Sequence, residues 1–367
     1  MIWSQALVLR EHGIAPTLEQ VEVCEPAAGQ VRVRVVASGI CATDVHAVTG
    51  EQPILRLPVI LGHEGAGIIE SVGPDVVDLS VGDHVVLALS SSCGECRPCQ
   101  RGRGDECDSE WRRSGFAGVQ PDGRSTIRQG DHDVFPLFGV GTLSEFTTVR
   151  ASQAIKIDPQ LPLDLMCLTG CCVVTGVGAA LHTAAVEHGD SVLVVGCGGV
   201  GLNVIQGARI AGATTIIAAD VDRDSLDLAQ RMGATHVIDT RTAPLDVRQI
   251  VPAGVDFAFE VVGSPALIVA CLDQTRIGGA CVLVGLTPAG VTVPIDARVL
   301  NGARRLIGCR GGGGVPADNV EMLTGLYRDG QLKLGELVGP RFKFADVLDG
   351  FVNFGSWGPG RAIVSVG

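Results

Sequence analysis

Along the first forty residues apolar side chains fall in short runs or on alternate positions: Ala6 to Leu9, Leu18 to Val23, then Val31, Val33 and Val35 with Arg32 and Arg34 between them. A period of two marks half-buried strands, so the chain opens on an all-β, barrel-like unit. Around Gly39 the alternation breaks into GICATDVHAVTG. After a Pro-rich stretch, LPVILGHEGAGIIESVGPDV and VGDHVVLALS resume the strand pattern. From Asp108 to Phe138 periodicity is absent and the text reads as a long loop. The strand-like GTLSEFTTV follows, then LMCLTGCCVVTGVGAALHTA, helical in its second half.

From Val192 the pattern changes to continuous apolar runs separated by helix-length segments. Val192 to Val195 leads into glycines, a helical segment and a second run ending at Asp220. A helix from about Asp224 to Met232, strands at His236 to Ile238 and Val255 to Glu260, a helix after Pro265 and a strand at Ala280 to Gly285 continue the rhythm, and 305–309 supplies a sixth strand. Strands alternating with helices predict a parallel, doubly wound sheet. The helix-like VEMLTGLYRDG and strand-like RAIVSVG of the tail return to the first unit.

Chemistry attaches first to the glycines. Gly196, Gly198 and Gly201 stand in G-x-G-x-x-G spacing between a strand and a helix, with Asp220 closing the next strand. The first glycine makes the tight turn, the second lets the backbone approach a pyrophosphate, and the third lets helix pack on strand; helix N–H groups then face the anion and the acid meets the ribose. Asp220 favours NAD, because a 2′-phosphate would be repelled, although Arg223 lies near it in sequence and is itself a candidate cofactor contact.

With 367 residues the chain has room for two domains, and a net charge of −12 without like-charged runs argues against nucleic acid as a partner. No signal-peptide pattern and no membrane-length apolar stretch is present, so a soluble, cytoplasmic protein is expected. Thirteen cysteines without a secretion signal raise the question of metal. Cys24, Cys271, Cys281 and Cys309 are isolated and read as core packing. Cys93, Cys96, Cys99 and Cys107 lie within fifteen residues among Gly, Pro and charges. Four thiolates close a tetrahedron and leave no position for substrate, which predicts a structural zinc; an iron–sulfur cluster fits less well because nothing else suggests electron transfer. Cys41, His63 and one of Cys171 or Cys172 are candidates for a second, catalytic zinc with an open position.

GICATDVH at 39–46, GHEGAGIIESVG at 62–73, the four cysteines, TGCC at 169–172 and GCGGVG at 196–201 resemble, in order, the zinc-dependent medium-chain alcohol dehydrogenases. The resemblance implies a GroES-like catalytic domain over 1–172 and 311–367 and a six-stranded Rossmann domain over 173–310, with NAD and two zinc ions per chain. It puts Cys41, His63 and Cys171 on the catalytic zinc, Glu64 behind it and Asp44 against His63. Thr43 takes the hydroxyl position of the proton relay and His46 its outlet. Thr175, Gly199 and Val200 fall on the cofactor, and Arg361 on its pyrophosphate. Two positions depart from the pattern: Ala42 stands where many members carry a basic residue, and Cys172 where glycine is usual.

Around the open zinc position the resemblance places Leu89, Leu137, Phe138, Val284 and Leu286, the last two also beside the cofactor. With all five apolar, hydrophobic primary alcohols, whether medium-chain, benzylic or allylic, are the expected substrates, and charged ones should be poor. The alternatives are a thiol-adduct-dependent formaldehyde dehydrogenase and a non-catalytic NAD-binding zinc protein. The small-molecule alcohol or aldehyde is the expected partner, in a homodimer or a homotetramer; the long 108–138 stretch favours the dimer.

Overall fold

The structure, a computed structural model, describes residues 1–51 and 56–367, with the side chains of Trp111 and Arg112 outside the description. The Pro-rich stretch read in the sequence lies partly outside the described residues.

Ile2–Leu9, Thr17–Val23, Ile127–Gln129, His132–Pro136 and Val59–Ile60 close a small barrel. The apolar run at its start serves two cores. Ala6 and Val8 point into the barrel with Val21, Val23 and Ile127, while Leu7 and Leu9 face Val31, Val33 and Val35 of the neighbouring sheet. That sheet has seven strands arranged about Gln30–Gly39, which pairs with Glu64–Val72, Phe146–Arg150 and Arg361–Ser365. Ile363 lies opposite Gly39, so the tail returns to the first unit as expected and comes to rest beside Cys41.

The stretch 108–138 is not a structureless loop. It folds into the helix Glu110–Phe116, the barrel strands Ile127–Gln129 and His132–Pro136, and a short turn Leu137–Gly139. The segment after Gly39 is likewise ordered, as the helix Ala42–Thr49.

The six-stranded sheet is parallel throughout, in the order His236–Asp239, Thr215–Asp220, Ser191–Val195, Val255–Glu260, Thr275–Leu283 and Arg305–Gly308. Both faces are covered, which explains the unbroken apolar runs. Val192 and Val194 pack with Leu202 and Ile205 of the helix Gly199–Ala211, and Leu193 and Val195 with Cys271 and Leu272 of the helix Pro265–Gln274. Each such side chain contributes roughly 1.5–3 kcal/mol on burial. Strand order reverses between Ser191–Val195 and Val255–Glu260, and a crevice opens there at the carboxyl ends of the strands. Gly196 makes the turn with φ +96°. A Cβ on Gly201 would collide with the Gly196 carbonyl, so the spacing of these glycines follows from the fold.

Among the described residues no single helix is long and apolar enough to cross a membrane. The bent pair 163–170 and 172–183 reaches that length only together, and Met166, Leu168, Val173 and Val177 within it belong to the main core.

Candidate active site

Two groups of side chains that could hold a metal ion stand out among the described residues: the four cysteines at 93–107, and Cys41, His63 and Cys171 joined by Glu64. In the first, the sulfurs of Cys93, Cys96, Cys99 and Cys107 lie within 4.8 Å of one another. The short helix Arg97–Gln100 with its leading proline turns the chain back on itself, and the Cys96 amide donates to Cys93 Sγ at 3.3 Å. Burial pushes the Cys107 thiol up, but hydrogen bonds from the Ser109 side chain and backbone, then from Cys93, outweigh it and hold the thiol at about 6. A thiol so lowered is already largely thiolate at neutral pH, the form a metal needs.

The second group joins Cys41, His63, Glu64 and Cys171, all buried, within the same 4.8 Å. Cys41 ends the run from strand Gln30–Gly39 and caps the helix Ala42–Thr49, whose N-terminal dipole favours a thiolate. Asp44, fully buried, accepts from the amides of Cys41 at 3.0 Å and Gly62 at 2.8 Å, and from His63 Nδ1 at 3.3 Å. Its carboxylate therefore fixes the two ligand-bearing segments and the imidazole tautomer together, leaving Nε2 for a metal. A hydrogen bond with Cys171, then the charges of Arg361 and His63, hold the Cys41 thiol well below its ordinary value against burial. Burial depresses His63, yet Asp44 and Cys41 more than reverse it and raise the imidazole well above its usual range.

Glu64 is pushed up to about 7 by burial, partly opposed by Arg361. Arg361 Nη2 donates to Glu64 Oε1 at 2.8 Å and reaches Cys41 Sγ at 3.6 Å. Glu64 Oε2 has no hydrogen-bond partner. The two thiols of Cys41 and Cys171 and the His63 imidazole nitrogen fit a zinc ion with three protein ligands, with the Glu64 carboxylate beside them. Cys172 does not join them: its thiol, raised by burial, donates to the Leu168 carbonyl at 3.6 Å inside the core.

Above the ligands lies a cavity of about 480 Å³ whose lining includes Thr43, His46, Leu89, Phe138, Thr175, Val200, Val284 and Leu286. Leu137 is absent from it. Phe138 sits at φ +53°, which turns its ring into the cavity while Leu137 is buried in the barrel-side core. The lining is also not wholly apolar, because Asp105 and Arg310 enter the wall, together with Phe116 and Cys309, the last expected to be core packing. His46 Nδ1 is hydrogen-bonded to Glu51.

A second crevice, of about 550 Å³, is lined by Gly196, Gly198, Gly199, Gly201, Asp220, Asp222 and Asp224 on the sheet side and by Phe354 and Trp357 opposite; Ala42, Val200 and Arg361 border both spaces. Asp220 is held by the amides of Cys197 at 2.6 Å and Asp222 at 2.9 Å. Arg223 stays out of the crevice and pairs with Asp227 one helical turn on, at 3.2 Å.

A mainly β unit carrying two groups of side chains that could hold metal, set against a doubly wound parallel sheet with a cavity where they meet, is the architecture of a zinc-type dehydrogenase. The domain description "Alcohol dehydrogenase GroES-like domain" matches residues 27–159 and "Zinc-binding dehydrogenase" residues 199–326. An alcohol dehydrogenase class-3 of Zea mays is 34% identical over 96% of this chain and 93% of its own. Among solved structures, an alcohol dehydrogenase zinc-binding domain protein from Burkholderia ambifaria superimposes with TM-score 0.93 at 32% identity, covering 100% of this chain and 99% of its own. The benzyl alcohol dehydrogenase of Acinetobacter calcoaceticus does so with TM-score 0.93 at 31% identity, covering 100% of both. The chain belongs to the zinc-type medium-chain alcohol dehydrogenase family.

Proposed function

We propose that the protein catalyses the reversible, NAD-dependent oxidation of hydrophobic primary alcohols, aryl and medium-chain alkyl, to aldehydes, with two zinc ions per chain. The observation that carries this is the cavity over Cys41, His63 and Cys171, whose walls are made largely of Leu89, Phe116, Phe138, Val174, Val284 and Leu286. The likeness to a benzyl alcohol dehydrogenase supports the aryl part. NAD over NADP is supported by the crevice around Asp220, where Asp222 and Asp224 add negative charge and Arg223 is engaged elsewhere.

When bound, zinc supplies Lewis-acid polarisation of the alcohol oxygen and the nicotinamide accepts the hydride. The chain's own residues do the rest. Asp44 holds His63 in one tautomer; Glu64 and Arg361 balance charge behind the ligands; the apolar walls keep water from the reacting carbon. Thr43 presents its hydroxyl to the alcohol, and His46, anchored by Glu51, takes the proton at the cavity's edge.

Initial rates of NADH formation over ethanol, hexanol and benzyl alcohol test the reading. kcat/KM should rise from ethanol upward by about 0.8 kcal/mol per buried methylene, with NAD preferred over NADP. Ethanol matching hexanol and benzyl alcohol would refute the apolar cavity as the selecting feature, and formaldehyde oxidation that strictly requires a low-molecular-weight thiol would replace the assignment.

A further inference from the structure

Aromatic rings line one wall of the substrate cavity in sequence. The His63 ring meets Phe138 edge-on with centroids 5.2 Å apart, Phe138 meets Phe116 at 4.6 Å, and the Arg310 guanidinium lies over the Phe116 ring at 6.0 Å. A ring wall thus starts at a zinc-ligating imidazole and ends at a cation. Arg310 follows the last strand of the parallel sheet, Arg305–Gly308, and Phe116 ends the helix Glu110–Phe116, so the two domains supply one partner each. The face of Phe116 is the contact the guanidinium makes: among the described residues its side chain has no ion pair and no hydrogen bond.

Of the other charged groups in the lining, Asp105, which is buried, is paired with Arg103 at 3.5 Å, and Arg361 with Glu64 at 2.8 Å. Arg310 is also absent from the crevice of the glycine turn and Asp220, so it is not placed to bind the cofactor's phosphates. An exposed guanidinium with an unused planar fork, at the end of an apolar channel, is matched to a carboxylate. A dianionic phosphate suits the wall less, because Asp105 borders the same space.

We infer that Arg310 anchors the remote end of the substrate, and that the preferred alcohols carry a carboxylate at the end opposite the hydroxyl, with a ring or short chain between. This rests on the reading of the cavity as the site of alcohol oxidation. The carboxylate takes no part in the chemistry: the carbinol carbon gives its hydride to NAD and the hydroxyl its proton, as for any alcohol of the series. The consequence reverses the expectation from sequence that charged substrates are poor.

The test compares kcat/KM for 4-(hydroxymethyl)benzoate with that for benzyl alcohol in the wild-type holoenzyme, R310Q and R310K. The wild-type ratio should exceed ten, fall below one in R310Q, and stay above one in R310K. In the wild type the ratio should shrink as sodium chloride is raised, which keeps the test decisive should R310Q fail to fold. A wild-type ratio below one, a ratio unchanged in R310Q, or a ratio indifferent to salt overturns the role of Arg310. Oxidation of neither alcohol would instead overturn the proposed function itself.

Discussion

The two cysteine clusters of this chain use the same side chain for opposite ends. The lobe at 93–107 draws every sulfur from one stretch, leaves Cys93 exposed, and brings four sulfurs close enough to hold one ion. The site at Cys41, His63 and Cys171 draws on three distant segments, is buried, and offers one position fewer. A closed local set saturates its metal and converts binding energy into folding. An open, buried set must bring in countercharges, and here they are Asp44 and the Glu64–Arg361 pair.

The sharpest break in this comparison is Cys41→Ser, which should reduce turnover to background while NADH still binds, as read by cofactor fluorescence; retained turnover would remove Cys41 from the catalytic site. Cys93→Ser, or stripping the lobe with a chelator, should lower Tm by about 10 °C, and an unchanged melting curve would mean that the lobe does not staple the fold. Glu64→Gln leaves Arg361 buried without its partner and should cost about 3 kcal/mol in denaturant unfolding. Combined with Arg361→Met, the loss should be less than additive; strict additivity would dissolve the pair. His46→Gln should slow turnover about 10²-fold, most at low pH where proton removal is hardest, and a parallel pH profile would count against the relay.

The smallest effect serves as a control away from both clusters. Although burial alone would raise it, the Asp256 carboxyl is held below its ordinary value by the Ser191 hydroxyl and amide and by Arg276. Because the folded value lies below the unfolded one, about 3.9, this stabilisation is complete above that pH and is lost as pH falls through the folded value. Asp256→Asn should therefore be less stable than wild type at pH 7, and the two should converge below about pH 4. A gap that persists in acid would assign the loss to packing.

Much of this was legible in the sequence because the signals were local. The glycine turn with Asp220 and the four-cysteine lobe each announce themselves within about thirty residues, and each of the six strands by its own short apolar run. What escaped was decided by approach of distant segments or by single dihedrals. The strand Ile127–Gln129 has three residues, too few to show a period. Phe138 and Leu137 are adjacent and both apolar, and only the left-handed backbone at Phe138 separates cavity wall from core. Arg310 and Asp105 enter the cavity from stretches with no motif of their own, so an apolar pocket was the natural reading. Arg223 looked like a cofactor contact by number, but its partner Asp227 lies on its own helix.

The bond between Arg361 and Cys41 joins residues 320 positions apart. On the ribosome the parallel sheet, complete by Gly308, can therefore fold while the strand that carries Arg361 has yet to be made. Until that strand pairs with Gln30–Gly39, Glu64 and Cys41 stand without the Arg361 guanidinium, so charge balance around the buried candidate ligands is completed only by the strand Arg361–Ser365.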